Sequence, residues 1–167
     1  CPTTSIGNIP IMQIRQNMSE SLDLAGASLG ACEVGLLAHY LAINRSLTQL
    51  DFSNNALDQN MKAALGNALL ANPFRPVQYV LCDDWSVVQS TVEVELSGKQ
   101  LLPGDALLLA GVLKGNKRVK SVNVGNNSIG PVGASKLVAS LKVNRSVTSL
   151  DASSNDLQQD GAVQLAD

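Results

Sequence analysis

Residues 50–57 read LDFSNNAL, residues 122–129 read VNVGNNSI, and residues 150–157 read LDASSNDL. The second and third stretches start 28 residues apart, and 28 residues before the first the chain reads LDLAGASL. A unit that recurs at a fixed period of this length is typical of a repeat architecture, in which each unit stacks on the next. The sequence therefore predicts a solenoid.

Each unit is expected to begin with a short strand and a turn. Leu50 and Phe52 alternate with polar residues, so they share one face of a strand. Three units carry an asparagine at the same place after the strand: Asn55, Asn127 and Asn155. Because an amide both donates and accepts, we expect these side chains to bind backbone groups in the turns and form a stacked column.

A helix is expected to follow each turn. Apolar residues return at helical spacing, as at Val34, Leu37 and Leu41, and small residues such as Gly66 would let neighbouring helices lie close. An asparagine follows the predicted helix in four units, where we expect the left-handed conformation common at helix ends: Asn44, Asn72, Asn116 and Asn144. Since one unit cannot bury its own apolar face, all strands should form one parallel sheet.

These segments resemble the leucine-rich repeat family, in particular the long repeat class found in ribonuclease inhibitor and in intracellular innate-immune receptors. The family's pattern is L-x-x-L-x-L-x-x-N-x-L followed by a helix, which this chain matches at Val119, Val122, Val124, Asn127 and Ile129. The resemblance implies an α/β leucine-rich-repeat solenoid, or horseshoe, with a concave parallel sheet and convex helices. It also implies a eukaryotic protein of the cytoplasm.

The predicted organisation has four parts. Residues 1–18 form an N-terminal capping segment or a degenerate repeat, residues 19–72 form repeats 1 and 2, and residues 92–167 form repeats 4 to 6, truncated at the C-terminus. Residues 73–91 are too few for a full unit and begin with Pro73 and Pro76, which predicts an irregular, shortened repeat. Within it, Trp85 either fills a gap on the convex side or belongs to an exposed partner-binding loop.

Composition and motifs argue against several functions. The net charge of −2 disfavours nucleic-acid binding, and no apolar run is long enough to span a membrane. A basic cluster at Lys114, Lys117, Arg118 and Lys120 is interpreted as a solvated turn. The three cysteines lack the spacing of metal ligands, and the common motifs of hydrolases and phosphate-binding loops are missing. We therefore expect no metal, no cofactor and no enzymatic activity.

The most informative surface is predicted on the strands, at the positions that point out of the concave side: Asp23, Asp51, Leu81, Glu95, Asn123 and Asp151. Four of these six residues are carboxylates. Since neighbouring strands lie about 4.8 Å apart, they would form a stripe of negative potential that attracts a basic partner. The flanking Tyr79 and Glu93 would add an aromatic anchor and a hydrogen-bonding group. Alternatively, the carboxylates only keep the open sheet face soluble.

The resemblance implies a module that holds another protein, a basic one, on its concave face, since few proteins of this class catalyse a reaction. One alternative is a regulator of a small GTPase, similar to the GTPase activators of nuclear transport. Another is a structural component of the cytoskeleton or flagellum. Both alternatives rest on fold analogy.

Overall fold

Short strands alternate with helices along the part of the chain that this computed structural model describes, residues 9–74 and 76–157. The helices are α1 (Ile11–Arg15), α2 (Ala31–Leu41), α3 (Gln59–Ala71), α4 (Pro103–Gly115) and α5 (Gly130–Leu141). The strands are β1 (Ser21–Asp23), β2 (Gln49–Asp51), β3 (Tyr79–Leu81), β4 (Ser86–Val87), β5 (Glu93–Glu95), β6 (Ser121–Asn123) and β7 (Ser149–Asp151).

The strands of successive units pair in parallel and in register. Leu50 at the centre of β2 pairs with Leu22 and Val80, and Val122 at the centre of β6 pairs with Val94 and Leu150. These central residues face the core, and all except the half-buried Leu150 are buried. The parallel strands and the intervening helices confirm the predicted α/β leucine-rich-repeat fold.

The sheet is interrupted in the middle of the chain. After β3 the chain turns back, and β4 pairs antiparallel with β3, joining Val80 to Val87 and Leu81 to Ser86. Since β2 pairs on the other side of β3, no edge of β3 is left for β5. The result is two sheets, one of four strands (β1 to β4) and one of three (β5 to β7). The expectation of a single parallel sheet is therefore wrong.

The helices remain packed across this interruption. A Cβ atom added at Gly66 of α3 would overlap the backbone of Leu107 in α4, and one at Gly111 would lie 2.7 Å from the Cβ of Leu69. Glycine at both positions lets α3 and α4 approach more closely than side chains would permit. Residues 104–113 of α4 are all buried, and those from Ala106 to Leu113 are apolar on every side of the helix, which is typical of a helix packed between neighbours. The helical layer therefore joins the two halves of the solenoid.

The predicted asparagine column after the strands is confirmed. The Asn127 amide nitrogen donates to the carbonyls of Leu96, Val124 and Gly125 at 2.8 to 3.0 Å, and its oxygen accepts from the Leu101 N–H at 2.9 Å. Two further asparagines make the same set of bonds to their own turn and to the preceding unit: Asn55 and Asn155. Each amide ties its own turn to the preceding unit, which stabilises the stack.

A second asparagine column lies at the other edge, before the strands. Asn144 donates to the carbonyls of Leu113 and Asn116 and accepts from the N–H groups of Ser146 and Val147. The left-handed conformation expected here is wrong: Asn72 and Asn116 have φ of −63° and −67°, and neither Asn44 nor Asn144 has positive φ. These asparagines are used for their side-chain hydrogen bonds.

Candidate functional site

The six residues predicted to point out of the concave side lie in two groups. Register places Asp23, Asp51 and Leu81 side by side on β1 to β3, and Glu95, Asn123 and Asp151 side by side on β5 to β7. Three of the carboxylates are exposed, and Asp51 is half-buried. We call these six residues the acidic stripe. It consists of two groups of three because β4 separates the two sheets.

The carboxylates of the acidic stripe also bind their own turns. Asp51 accepts hydrogen bonds from the Ser53 N–H at 2.9 Å and from the Ser53 hydroxyl at 2.6 Å, and Asp151 accepts from the Ser153 N–H at 2.9 Å. Asp23 and Glu95 accept from the N–H two residues ahead in the same way. The bonds from Ser153 lower the pKa of Asp151.

An asparagine serves this turn equally well. The side-chain oxygen of Asn123 accepts from the Gly125 N–H at 3.0 Å, and its nitrogen donates to Glu95 at 3.0 Å. In the units that carry Asp, Glu or Asn here, the turn therefore uses a side-chain oxygen and does not require a charge, whereas Leu81 before β4 has no such oxygen. Sequence reasoning missed this local role, although a polar residue two places before a small one in successive units was a usable signal.

The two flanking residues lie two positions before the stripe residues of their strands, on the same face. Tyr79 is half-buried and pairs in register with Gln49 on β2, while Glu93 is exposed and pairs with Ser121 on β6. Tyr79 belongs to the same sheet as Asp51, and Glu93 belongs to the same sheet as Asp151. Each group of the acidic stripe therefore has one of the two predicted flanking contacts beside it.

Trp85 does not belong to an exposed surface. Only 5% of the residue is accessible, and its ring nitrogen lies 3.4 Å from the Asp105 carboxylate. The prediction of an exposed partner contact at Trp85 is therefore corrected, and its role is to pack the β3–β4 hairpin onto the helices. The bulky ring fills space next to a segment that has no helix of its own.

A buried charge cluster lies beneath this hairpin. Lys62 of α3 and Asp105 of α4 are 5% and 3% exposed, and the Lys62 ammonium lies 2.8 Å from the Asp105 carboxylate. Lys62 also binds the exposed Asp84 of the hairpin, and Gln59 donates to Asp105 at 2.7 Å. In the described ranges the two ion pairs both involve Lys62. Sequence reasoning missed this cluster.

The surroundings of the cluster favour its charged state. Burial alone would lower the pKa of Lys62, but its hydrogen bonds to Asp105 and Asp84 raise the pKa above its ordinary value. Burial would raise the pKa of Asp105, but the hydrogen bonds from Lys62, Gln59 and the Leu102 N–H lower it. Across the described residues every buried side-chain polar atom has a hydrogen-bond partner. The arrangement is that of a satisfied structural cluster.

The cysteines provide a test of this packing. The Cys82 thiol donates to the Trp85 carbonyl at 3.0 Å, and burial raises its pKa to about 11. Cys32 is exposed on α2. We expect a water-soluble maleimide to label Cys32 in the native protein and to label Cys82 only after denaturation, since the reactive thiolate is scarce and shielded there. Peptide mass mapping would check this, and equal labelling rates would contradict the hairpin packing.

Metal binding and membrane insertion are two other functions that the described residues bear on. No group of three or more His, Cys, Asp or Glu side chains in these ranges is placed to hold a metal ion. None of the helices in the same ranges has the length and apolar character needed to span a bilayer.

Comparisons with known proteins bear on the family and the fold. A family model described as leucine-rich repeat matches residues 115–138 and 143–166, and a comparison with curated proteins gave no match. Among solved structures, leiomodin-1 actin-binding site 2 is similar, with a TM-score of 0.51 and 14% identity over 97% of this chain and 86% of that chain.

The C-terminal domain of tropomodulin from Caenorhabditis elegans has a TM-score of 0.49 and 12% identity, over 93% of this chain and 86% of that chain. The family match covers the last two units, where the second asparagine column and the parallel strands recur at the predicted spacing. The described strands and helices therefore have the leucine-rich-repeat fold, and the last two units match the leucine-rich repeat family model.

Proposed function

We propose that this chain is a protein–protein interaction module of the cytoplasm that binds a basic surface of another protein on its concave face. The observation that carries the proposal is the charge of the acidic stripe. Asp23, Glu95 and Asp151 are exposed, Asp51 is half-buried, and none of the four is ion-paired with a cation in residues 9–74 and 76–157. Carboxylates without a paired cation attract a basic partner and raise its rate of association.

Shape and side-chain type support the same surface. Both groups of the stripe lie on short parallel strands whose inner residues are packed in the core, so the outer residues are held in fixed positions. Tyr79 and Leu81 are half-buried neighbours of Asp51 and offer apolar area beside the charges. A partner would therefore meet preordered charges, which reduces the entropy lost on binding. In this proposal the chain acts by binding and catalyses no reaction.

A cytoskeletal partner is a second candidate. The similar leiomodin-1 domain is named as an actin-binding site, but 14% identity supports the fold alone. Actin is therefore one defined partner to test, by co-sedimentation of the chain with purified filaments. The GTPase-regulator alternative still rests on fold analogy and stays a prediction.

The test removes charge from the stripe without breaking its turns. Asp23→Asn with Asp151→Asn keeps both side-chain oxygens that accept from the turn, as Asn123 does naturally. The matched control, Glu20→Gln with Asp156→Asn, removes two exposed carboxylates outside the stripe and gives the same net charge. Each exposed charge pair contributes about 0.2–1 kcal/mol, so we expect the stripe variant to lower partner affinity by about 2- to 30-fold.

Affinity capture from a eukaryotic lysate with quantitative mass spectrometry measures the effect. Proteins that the stripe variant loses and the control retains would be concave-face partners, and their binding should weaken as salt rises. If both variants retain the same proteins in equal amounts, the carboxylates serve the turns and the solubility of the sheet only, and the proposal fails.

A further inference from the structure

A second charged surface lies at the edge of the solenoid where the helices end and the strands begin. The loops before β2, β3, β6 and β7, residues 42–48, 72–78, 116–120 and 142–148, contain no Asp or Glu. The described residues of these loops contain six of the chain's 12 Lys and Arg residues: Arg45, Lys117, Arg118, Lys120, Lys142 and Arg145. With Lys114 in the last turn of α4, we call this surface the basic edge.

A groove of about 410 Å³ lies in the basic edge, between the loops that follow α3, α4 and α5. Lys114, Lys117 and Arg145 line it together with Phe74 and Val143. Phe74 is 48% exposed and Val143 is 40% exposed, so the groove combines three cations with two accessible apolar side chains. Such a combination is suited to a ligand that carries both negative charge and an apolar group.

Only one of the three cations that line the groove has a structural role at a helix end. Lys114 donates to the carbonyls of Leu70 and Asn72 at the end of α3, where a cation is favoured by the helix dipole. Lys117 and Arg145 lie beyond the last turns of their helices and are exposed. Since both ion pairs of the described residues involve Lys62, neither of these two cations is paired with a carboxylate there.

The floor of the groove is held in place by the second asparagine column. Asn116 accepts from the N–H groups of Arg118 and Val119, each at 2.8 Å, and Asn144 donates to the Asn116 carbonyl at 2.8 Å. These bonds fix the two loops that carry Lys117 and Arg145 relative to each other. A ligand would therefore meet cations whose backbone positions are already ordered, which favours binding.

We propose that the basic edge binds an acidic peptide segment of a partner protein, with an apolar side chain of that segment inserted between Phe74 and Val143. Charge complementarity gives the attraction, and the two exposed apolar residues give the selectivity for a peptide. One face of the Phe74 ring already carries the Arg45 guanidinium, 4.1 Å from the ring centroid, which leaves less of the ring for a stacked base than a single-stranded nucleic acid would use. One chain would thus hold an acidic segment at its edge and a basic surface on its concave face.

The test is a heteronuclear NMR titration of the whole chain with three probes. The acidic probe is a short synthetic peptide of Asp and Glu with one central Leu, the neutral probe replaces these residues by Asn and Gln, and the third probe is a sulfated oligosaccharide. We expect the acidic probe to shift the amide signals of residues 114–120 and 142–147, and the neutral probe to bind at least about tenfold more weakly, because its charge is gone.

Variants distinguish the groove from general charge attraction. Lys117→Gln with Arg145→Gln should lower the affinity for the acidic probe about 2- to 30-fold. The matched control, Lys99→Gln with Lys136→Gln, removes two exposed lysines elsewhere and should leave this affinity unchanged. Val143→Ser should lower the affinity for the acidic probe without changing the affinity for the sulfated oligosaccharide. The amide spectrum of each variant shows whether it has folded.

Three results would overturn the proposal. The acidic probe could fail to shift any amide up to millimolar concentration, or shift only those of the acidic stripe. The sulfated oligosaccharide could bind as tightly as the acidic probe, with Val143→Ser changing the affinity of neither ligand. Such a result would show unspecific attraction of polyanions. Raising the protein concentration alone could shift the same edge amides, which would identify a second copy of this chain as the occupant.

Discussion

Replacing Asn127 with alanine is expected to lower the free energy of unfolding by about 2–4 kcal/mol, because two buried backbone groups lose their partner and each costs about 1–3 kcal/mol when unpaired. These groups are the Leu96 carbonyl and the Leu101 N–H, both in the neighbouring unit. The carbonyls of Val124 and Gly125 lose one bond each but still accept from the Asn155 amide and the Gly98 N–H. The change therefore weakens the contact between units more than the turn itself. Urea-induced unfolding followed by circular dichroism measures the effect.

Two further substitutions calibrate this result. Asn60→Ala changes an exposed asparagine near the start of α3 and should alter stability by less than about 0.5 kcal/mol. Asn127→Asp keeps an oxygen that can accept from the Leu101 N–H and loses the three donated bonds, so we expect a large part of the loss to remain. If Asn127→Ala costs no more than Asn60→Ala, the column does not hold the units together.

Replacing Lys62 with methionine is expected to lower the free energy of unfolding by about 3–5 kcal/mol, because the buried Asp105 carboxylate then lacks its counter-charge. Removing both charges, as Lys62→Met with Asp105→Leu, should recover part of this loss since no charge stays buried. Recovery is incomplete because Gln59 and the Leu102 N–H lose their acceptor. Chemical denaturation of both variants and the wild type gives the comparison.

The effect of Lys62→Met should depend on pH. The pKa of Asp105 is lowered in the fold, so its contribution to stability is present above the ordinary aspartate value of 3.8 and is lost as pH falls through the lowered pKa. Without Lys62, protonation of Asp105 instead relieves a buried charge. The stability difference between variant and wild type should therefore shrink in acid. A difference that is the same at neutral pH and below the value of 3.8 would contradict this account of the cluster.

The predicted acidic stripe illustrates how far local patterns lead. Alternation along each strand placed Asp51 and Asp151 on the face opposite the core, and the structure has them there. The pattern did not reveal that both carboxylates accept from the N–H two residues ahead. That bond depends on the geometry of the turn, which the alternation of residues along a strand does not describe. Whether the stripe binds a partner stays a prediction.

The interpretation of Asn116 and Asn144 shows a different limit. An asparagine after a helix suits both a left-handed cap and a side chain that binds the backbone, and the two uses leave the same residue in the sequence. The choice depends on acceptors in another unit, such as the Asn116 carbonyl for Asn144 and the Gln78 carbonyl for Asn116. Those groups lie 28 and 38 residues away along the chain.

Local sequence patterns were enough to predict the repeat, the strand and helix order of each regular unit, and the asparagine column after the strands. These features follow from the side-chain periodicity and from hydrogen bonds that recur with every unit. Three features became visible only in the folded chain: β4 divides the sheet, Trp85 is buried, and Lys62 pairs with Asp105 from 43 residues away. Each of these depends on which surfaces meet when the β3–β4 hairpin packs against α3 and α4, and such contacts leave no period in the sequence.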